Sequence, residues 1–111
     1  MSNKYSYDEV KESIIKFTKE RDWDQFHSPE NLAKSISIEA GELLECFQWD
    51  NTYNKDDVCM EIADIVNYCF LLADKLDVDL MDIVMDKLII NDKKYPVDKF
   101  KSSSIKYNKV K

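Results

Sequence analysis

The chain has 111 residues, of which 34% are charged and 44% hydrophobic, and its formal net charge is −6. This length suits one small domain. The negative charge argues against binding a nucleic acid polymer, because lysine and arginine drive that binding by displacing phosphate counterions. No apolar run approaches the ~20 residues of a membrane span, so we expect no membrane partner either. The negative charge is compatible with binding of small phosphorylated ligands, since divalent cations can join acidic side chains to phosphates.

Glycine and proline are scarce, with one glycine and two prolines in the chain. This scarcity favours a few long helices over sheets joined by tight turns. The start of the chain is polar and lacks the apolar stretch of a secretory signal. The three cysteines, Cys46, Cys59 and Cys69, lack CxxC spacing and lie within apolar helical patterns. We therefore interpret them as reduced core thiols of a cytoplasmic protein.

The first two helices are indicated by their N-terminal signals and by apolar residues at helical spacing. Ser6 begins the capping-box sequence SYDE, so helix 1 is expected from there to about residue 20. Clustered aromatic and polar residues then interrupt the pattern, and Ser28 followed by a proline suits the start of helix 2. The apolar stripe of helix 2 extends to Phe47, which predicts Trp49 at the end of that helix.

Helix 3 is expected from about Asp56, after the turn sequence DNTYNK, with Ile62 in its apolar stripe. Asp79 is a suitable cap for helix 4, which is predicted to continue almost to the second proline. Residues 1–98 then form one domain, and residues 99–111, rich in lysine and serine, form a basic C-terminal tail. Four helices with short connections predict an all-α antiparallel bundle.

Two pairs of acidic residues flank these stripes. Glu39 and Glu42 lie about 60° apart on one side of helix 2, and Glu61 and Asp64 share one side of helix 3 with Tyr68, a further candidate for contacting substrate. An antiparallel hairpin can bring the two sides face to face and gather the four carboxylates. Two like charges ~4 Å apart repel by about 4 kcal/mol at an effective dielectric of 20, a cost that a divalent cation removes. The alternative is that these are ordinary solvated helix acids.

The ligand types favour magnesium or manganese over redox iron. Carboxylates supply oxygen ligands, which suit these two metals. Di-iron bundles add Glu-x-x-His motifs, whereas the one histidine of this chain, His27, lies in the loop before helix 2. Aromatic faces stack on nucleobases, and a histidine ring can form a hydrogen bond to a base edge. Trp23, His27 and Trp49 are therefore candidates for contacting a base, and a hydrophobic plug between helices is the alternative.

Helix 4 has polar residues where its apolar stripe should continue. Lys87 and Asn91 lie one turn apart, so an ammonium and an amide can together contact an oxygen of a triphosphate. A solvated helix end with favourable cations near its C-terminus explains the same pattern without a ligand.

The acidic motifs also resemble a known family. EAGELLECFQW followed by EIAD is similar to the E-x-x-E…E-x-x-D signature of MazG-like all-α nucleoside triphosphate pyrophosphohydrolases. RDWDQFHSPENLA, NDKKYPV and SSSIKYN resemble the branch that contains dCTP pyrophosphatase, and the similarity spans roughly residues 14 to 108. The resemblance implies hydrolysis of a nucleoside triphosphate, first of all dCTP or a 5-modified dCTP, to the monophosphate and pyrophosphate. It also implies magnesium ligation by the four motif acids, Glu39, Glu42, Glu61 and Asp64.

The same resemblance suggests roles for the other candidates. Glu39 and Glu42 become the expected general bases, with generation of the attacking hydroxide on the metal as the alternative. His27 and Trp49 are expected in the base pocket, and the substrate-binding residues of helix 4 are expected to be Lys87, Asn91 and Tyr95.

Family members assemble as dimers or dimers of dimers with sites near subunit contacts, and we expect the same of this chain. The competing hypothesis is a non-catalytic helical interaction or nucleotide-sensing module, whose acids are surface charges or hold a structural ion.

Overall fold

Helices make up the regular structure of this protein. The computed structural model describes residues 4–49 and 52–102, and no strand occurs among them. The elements in chain order are α1 (Tyr7–Glu20), a 3₁₀ turn (Asp24–Phe26), α2 (Pro29–Glu45), α3 (Lys55–Lys75), α4 (Leu80–Lys94) and α5 (Val97–Phe100). The all-α prediction is confirmed, with the short α5 added to the four predicted helices.

Each of the four long helices begins where a side chain caps its first backbone N–H groups. The Ser6 hydroxyl accepts from the backbone N–H of Glu9, and the Glu9 carboxylate accepts from the backbone N–H of Ser6, which confirms the capping box. The side chains of Ser28, Asn54 and Asp79 likewise accept from the backbone N–H three residues later, at the starts of α2, α3 and α4. A cap of this kind stabilises a helix by about 0.5–2 kcal/mol, so local sequence alone determines these starts.

Helix α2 ends at Glu45, so the predicted extension to Phe47 and Trp49 is wrong. The backbone N–H groups of Cys46 and Phe47 donate to carbonyls three residues earlier, which tightens the last turn. The Phe47 ring then packs against Tyr53 across the connection, with ring centroids 5.0 Å apart. Phe47 therefore packs against the connection after α2 and does not extend the apolar stripe of that helix.

Helices α2 and α3 pack together as an antiparallel hairpin. His27, just before α2, lies against Tyr68 in the second half of α3. Glu39, in the second half of α2, lies beside Glu61 near the start of α3. These two pairings require the helices to run in opposite directions, as the sequence predicted.

The core of this part of the chain is small. Its buried hydrophobic residues are Leu32, Phe70, Leu71 and Ala73. Helix α1 packs on α3, where the rings of Tyr7 and Phe70 have centroids 5.3 Å apart. The hydroxyl of the buried Thr18 donates to the backbone carbonyl of Ile15, which satisfies this polar group. Ile62, predicted in the apolar stripe of helix 3, is 48% exposed, because α1 contacts α3 at Phe70, two turns further along.

The cysteines depart in part from their predicted burial. All three thiols are free, but Cys59 is exposed and Cys46 and Cys69 are half-buried. The core assignment is therefore wrong for Cys59, which is exposed in the first half of α3, as Ile62 is.

The chain divides after Val78 into two compact units. The second unit contains α4 and α5, and the Tyr95 ring packs edge-on against Phe100 at a centroid distance of 4.9 Å. No residue of α4 is buried, and its apolar side chains other than Leu80, including Met85 and Leu88, are exposed. Within the described residues, no helix combines the length and apolarity needed to cross a bilayer. Residues 103–111 of the predicted basic tail lie outside the described residues, and the domain boundary at residue 98 stays a prediction.

Leu32→Ala should lower the free energy of unfolding by about 2–5 kcal/mol, because Leu32 is fully buried and its truncation leaves a cavity. Urea denaturation followed by circular dichroism measures this change. The matched control Ser37→Ala, at an exposed position of the same helix, should change the value by about 0.5 kcal/mol or less. Equal losses for both variants would contradict the core described above.

Candidate active site

Three carboxylates from two helices meet across the α2–α3 hairpin. One oxygen from each of Glu39, Glu61 and Asp64 lies within 4.8 Å of the other two. Glu39 and Glu61 are half-buried and Asp64 is exposed, so the cluster is supported by the hairpin and accessible to solvent at Asp64. The predicted convergence of the acidic sides of helices 2 and 3 is thus present in the structure.

Glu42, the fourth predicted member, lies beside Glu39 but outside this three-oxygen cluster. A hydrogen bond between the carboxyl groups of Glu39 and Glu42 is the largest cause that raises the pKa of Glu39 to about 7. Burial, a hydrogen bond to Glu61 and the negative charges of Glu42 and Asp64 raise this pKa further. A carboxyl group in these surroundings holds its proton near neutral pH when no cation is bound.

The cluster lacks hydrogen-bond donors when its carboxylates are ionised. Glu39 Oε2 and Glu61 Oε2 are both buried without a hydrogen-bond partner. The carboxyl–carboxyl hydrogen bond of Glu39 forms only when one of the two groups is protonated, since an ionised carboxylate accepts but does not donate. Buried acceptors without donors are costly, and a divalent cation can satisfy them. The oxygen-only ligand set fits Mg²⁺ or Mn²⁺.

The His27 ring contacts Tyr68 of α3. The two rings meet edge to face, with centroids 6.5 Å apart and an interplanar angle of 84°. Tyr68 follows Asp64 by one turn of α3. The Nδ1 atom of His27 is buried and has no hydrogen-bond partner. The structure therefore brings two of the predicted substrate-binding residues, His27 and Tyr68, into contact with each other.

The two tryptophans occupy different surroundings. Trp23 packs edge-on against Phe17 of α1, with centroids 5.7 Å apart, and the guanidinium of Arg21 lies 3.7 Å from the Phe17 ring centre. This contact supports a packing role for Trp23. Trp49 follows the end of α2 and is 87% exposed. The 17 residues of α2 separate it from His27 by about 25 Å at 1.5 Å per residue, so one chain does not place both rings on one base.

The remaining candidates lie in the second unit. Lys87 is exposed and Asn91 is half-buried, one turn apart on α4. Tyr95 ends that helix and contacts Phe100. Phosphate binding by these residues stays a prediction.

Sequence reasoning missed an ion pair that fixes the loop carrying His27. Lys75 Nζ lies 2.8 Å from Asp24 Oδ1. This hydrogen bond holds the pKa of Asp24 below its usual range. The two residues are 51 positions apart, and no local pattern relates them, because the contact exists only once α3 packs beside the loop.

Known proteins resemble this chain in sequence and in structure. Residues 34–110 match the MazG-like family. The chain is 34% identical to dCTP pyrophosphatase 1 of Homo sapiens over 113 residues, which are 93% of this chain and 66% of the human protein. For dCTP pyrophosphatase 1 of Mus musculus the identity is 34% over 110 residues, 90% of this chain and 65% of the mouse protein. The chain thus spans slightly less than two thirds of these two relatives.

A solved structure is similar over a larger share of its own length. The crystal structure of a pyrophosphatase from Archaeoglobus fulgidus superimposes with a TM-score of 0.72 and 34% identity, covering 86% of this chain and 98% of the archaeal chain. The helical arrangement described above is therefore shared with that protein.

The raised pKa of Glu39 predicts how stability depends on pH in the absence of metal. The folded-state pKa is about 7 against an ordinary value of 4.5, so between these pH values the folded chain binds more protons than the unfolded chain. This contribution to the free energy of unfolding therefore falls as the pH rises through that window. The change in melting temperature between about pH 5 and about pH 7.5, measured in EDTA, should become smaller in Glu39→Gln than in the native protein.

The matched control is Glu45→Gln, which removes an exposed acid from the same helix and should leave the pH profile as in the native protein. Magnesium should raise the melting temperature more at about pH 7.5 than at about pH 5, because at the higher pH Glu39 is already ionised before a cation binds. A pH profile that Glu39→Gln does not alter would contradict the carboxylate cluster.

Proposed function

This chain belongs to the MazG-like family, and from that premise we propose that it is a nucleoside triphosphate pyrophosphohydrolase. It hydrolyses its substrate to the nucleoside monophosphate and pyrophosphate. The observation that carries this proposal is the convergence of Glu39, Glu61 and Asp64 across one hairpin, with two buried carboxylate oxygens that lack donors. The two relatives named dCTP pyrophosphatase 1 support dCTP or a modified dCTP as the substrate.

The three clustered carboxylates, Glu39, Glu61 and Asp64, would hold Mg²⁺ or Mn²⁺, with Glu42 beside them. When bound, the cation supplies positive charge that offsets the negative charge of the triphosphate. The protein's own contribution is to keep the ligands in place before the substrate arrives. Two helices joined by one connection fix the four side chains, so little reorganisation is needed during reaction.

Hydrolysis also needs a group that accepts a proton from the attacking water. Glu39 and Glu42 are the candidates. Glu39 belongs to the three-oxygen cluster, whereas Glu42 touches Glu39 and is otherwise exposed. We assign the base to Glu42, because its carboxylate is free to face water while Glu39 serves the cation. The proton that Glu42 accepts can pass to solvent, to which this side chain is open.

Further substrate contacts are proposed for residues of each unit. His27 packs against Tyr68 and has one buried ring nitrogen without a hydrogen-bond partner, and we propose that its ring contacts the base. Trp49 offers an exposed ring for stacking. Lys87 and Asn91 supply an ammonium and an amide for phosphate oxygens, and Tyr95 is a further contact.

Assembly as a dimer or a dimer of dimers is part of the same proposal. Ile38, Leu44 and Met60 of the hairpin are more than 60% exposed, and α4 buries none of its apolar side chains. Apolar surface of this extent marks an interaction site more often than a free surface. A neighbouring subunit can also supply the Trp49 that lies too far from His27 within one chain.

Glu42→Gln and Asp64→Asn should each lower magnesium-dependent pyrophosphate release by about a hundredfold or more. The reason is that one variant removes the base and the other a metal ligand. Each deoxynucleoside triphosphate is incubated with the purified protein and magnesium, and pyrophosphate and monophosphate are then quantified. Circular dichroism should show nearly unchanged helicity in both variants.

Glu45→Gln on α2 provides the control, since it removes a nearby exposed acid without touching the cluster. Near-normal turnover in both Glu42→Gln and Asp64→Asn would overturn the proposed site. Nucleotide binding without any pyrophosphate release by the native protein would favour a sensing module.

His27→Ala and Trp49→Ala should each raise KM for the preferred nucleotide more than they lower kcat, because both residues contact the base. In a shared pocket, subunit exchange between the two variants regenerates some intact sites. Mixing them should therefore recover part of the activity measured below saturation.

Light scattering on the same samples should give a dimer or a tetramer. A lack of recovery despite demonstrated subunit exchange would mean that each pocket belongs to one chain. A monomer that still hydrolyses nucleotide would contradict the assembly and leave the chemistry intact.

A further inference from the structure

We propose that the ion pair between Asp24 and Lys75 positions His27 for substrate binding. The pair does not touch the substrate and acts through the loop that it holds. This inference rests on the proposed function for its kinetic consequence, whereas its structural consequence is measurable without any activity.

The loop between α1 and α2 is held at both ends by contacts with those two helices. On the α1 side, the backbone N–H of Trp23 donates to the Thr18 carbonyl at 2.9 Å. On the α2 side, the Asn31 side chain donates to the Phe26 carbonyl at 2.9 Å. These contacts fix where the loop starts and ends, but neither one fixes how closely its middle approaches α3.

The ion pair between Asp24 and Lys75 holds the middle of the loop close to α3. Lys75 is the last residue of α3, and its ammonium lies 2.8 Å from Asp24 Oδ1. Asp24 begins the 3₁₀ turn that ends at His27, whose backbone N–H donates to the Asp24 carbonyl at 3.1 Å. Asp24 and His27 are therefore joined by one tight turn, and a shift of the first residue moves the second.

The contacts of the loop with α3 fall on one side of that helix. Tyr68 and Lys75 are seven residues apart, which brings them to nearly the same side at a separation of about 10 Å. Glu61 precedes Tyr68 by another seven residues. One side of α3 thus carries an acid of the cluster, the ring that contacts His27 and the cation that binds Asp24, in that order. The loop meets this side at two points, Tyr68 and Lys75, so the ion pair sets the His27 ring against Tyr68.

The exposure of the pair argues for a local role. The Lys75 and Asp24 side chains are 28% and 46% exposed, and ion pairs with such access to water contribute little to global stability. A group that is displaced slightly from a binding geometry can nevertheless lose much of its effect. Loss of the pair should therefore alter His27 more than it alters folding.

The kinetic test compares Asp24→Asn and Lys75→Gln with the native protein. Each variant should raise KM for the preferred triphosphate by about three- to tenfold and change kcat by less than about twofold. In a His27→Ala background neither substitution should raise KM further, because the pair acts through that ring. The control Glu30→Gln removes an exposed ion pair with Lys34 on α2 and should leave KM unchanged.

The structural test uses the one histidine of the chain. Its imidazole gives a single set of proton and carbon signals by NMR, and these signals report the position of the ring relative to Tyr68. They should move in both Asp24→Asn and Lys75→Gln, stay in place in Glu30→Gln, and return toward the native position in the reversed pair Asp24→Lys with Lys75→Asp.

The two measurements separate this inference from the proposed function. A native protein that hydrolyses no triphosphate defeats the proposed function, and the NMR comparison then decides the positioning role alone. Imidazole signals that both variants leave unmoved would overturn the inference. So would an equal rise in KM with and without His27, or a lowered melting temperature with KM and signals unchanged.

Discussion

Electrostatic repulsion between carboxylates is the constraint on which the rest of this structure depends. Glu39, Glu61 and Asp64 come from two helices and meet within 4.8 Å, where like charges in a partly buried setting oppose folding. The α2–α3 hairpin tolerates this because the raised pKa of Glu39 lets this side chain hold a proton near neutral pH. The apo fold thus carries a strained charge arrangement that a divalent cation would relieve.

The small core leaves much of the stability to local contacts. Leu32 and the three buried residues of α3 are the buried hydrophobic residues of the described ranges, so side-chain caps at each long helix matter. The first half of α3 and all of α4 leave apolar side chains exposed. A chain with this division between core and surface suits association, which is consistent with a pocket that draws residues from two subunits.

Helix α3 carries several residues of the site at successive positions along its length. Its first half carries Glu61 and Asp64, its second half carries Tyr68, and its last residue, Lys75, holds the loop. The two acids of α3 and the ring that contacts His27 are therefore set by one rigid element, while Glu39 and Glu42 belong to α2. A change in the placement of the loop that carries His27 would alter substrate recognition while Glu61 and Asp64 keep their positions. The reason is that the loop contacts α3 at Tyr68 and Lys75, on later turns than these two acids.

The sequence by itself determined the helix starts and the pairing of acids. The hydroxyls of Ser6 and Ser28 reach backbone N–H groups within the next three residues, and acids three positions apart on a helix must share a side, so both features are local. Only tertiary structure decided that α2 stops at Glu45, that Ile62 stays exposed and that Asp24 meets a lysine 51 residues away. The end of α2 depends on the contact of Phe47 with Tyr53 beyond the helix, and the other two depend on which elements pack against α3. Hydrophobic spacing marks an apolar side without saying what covers it.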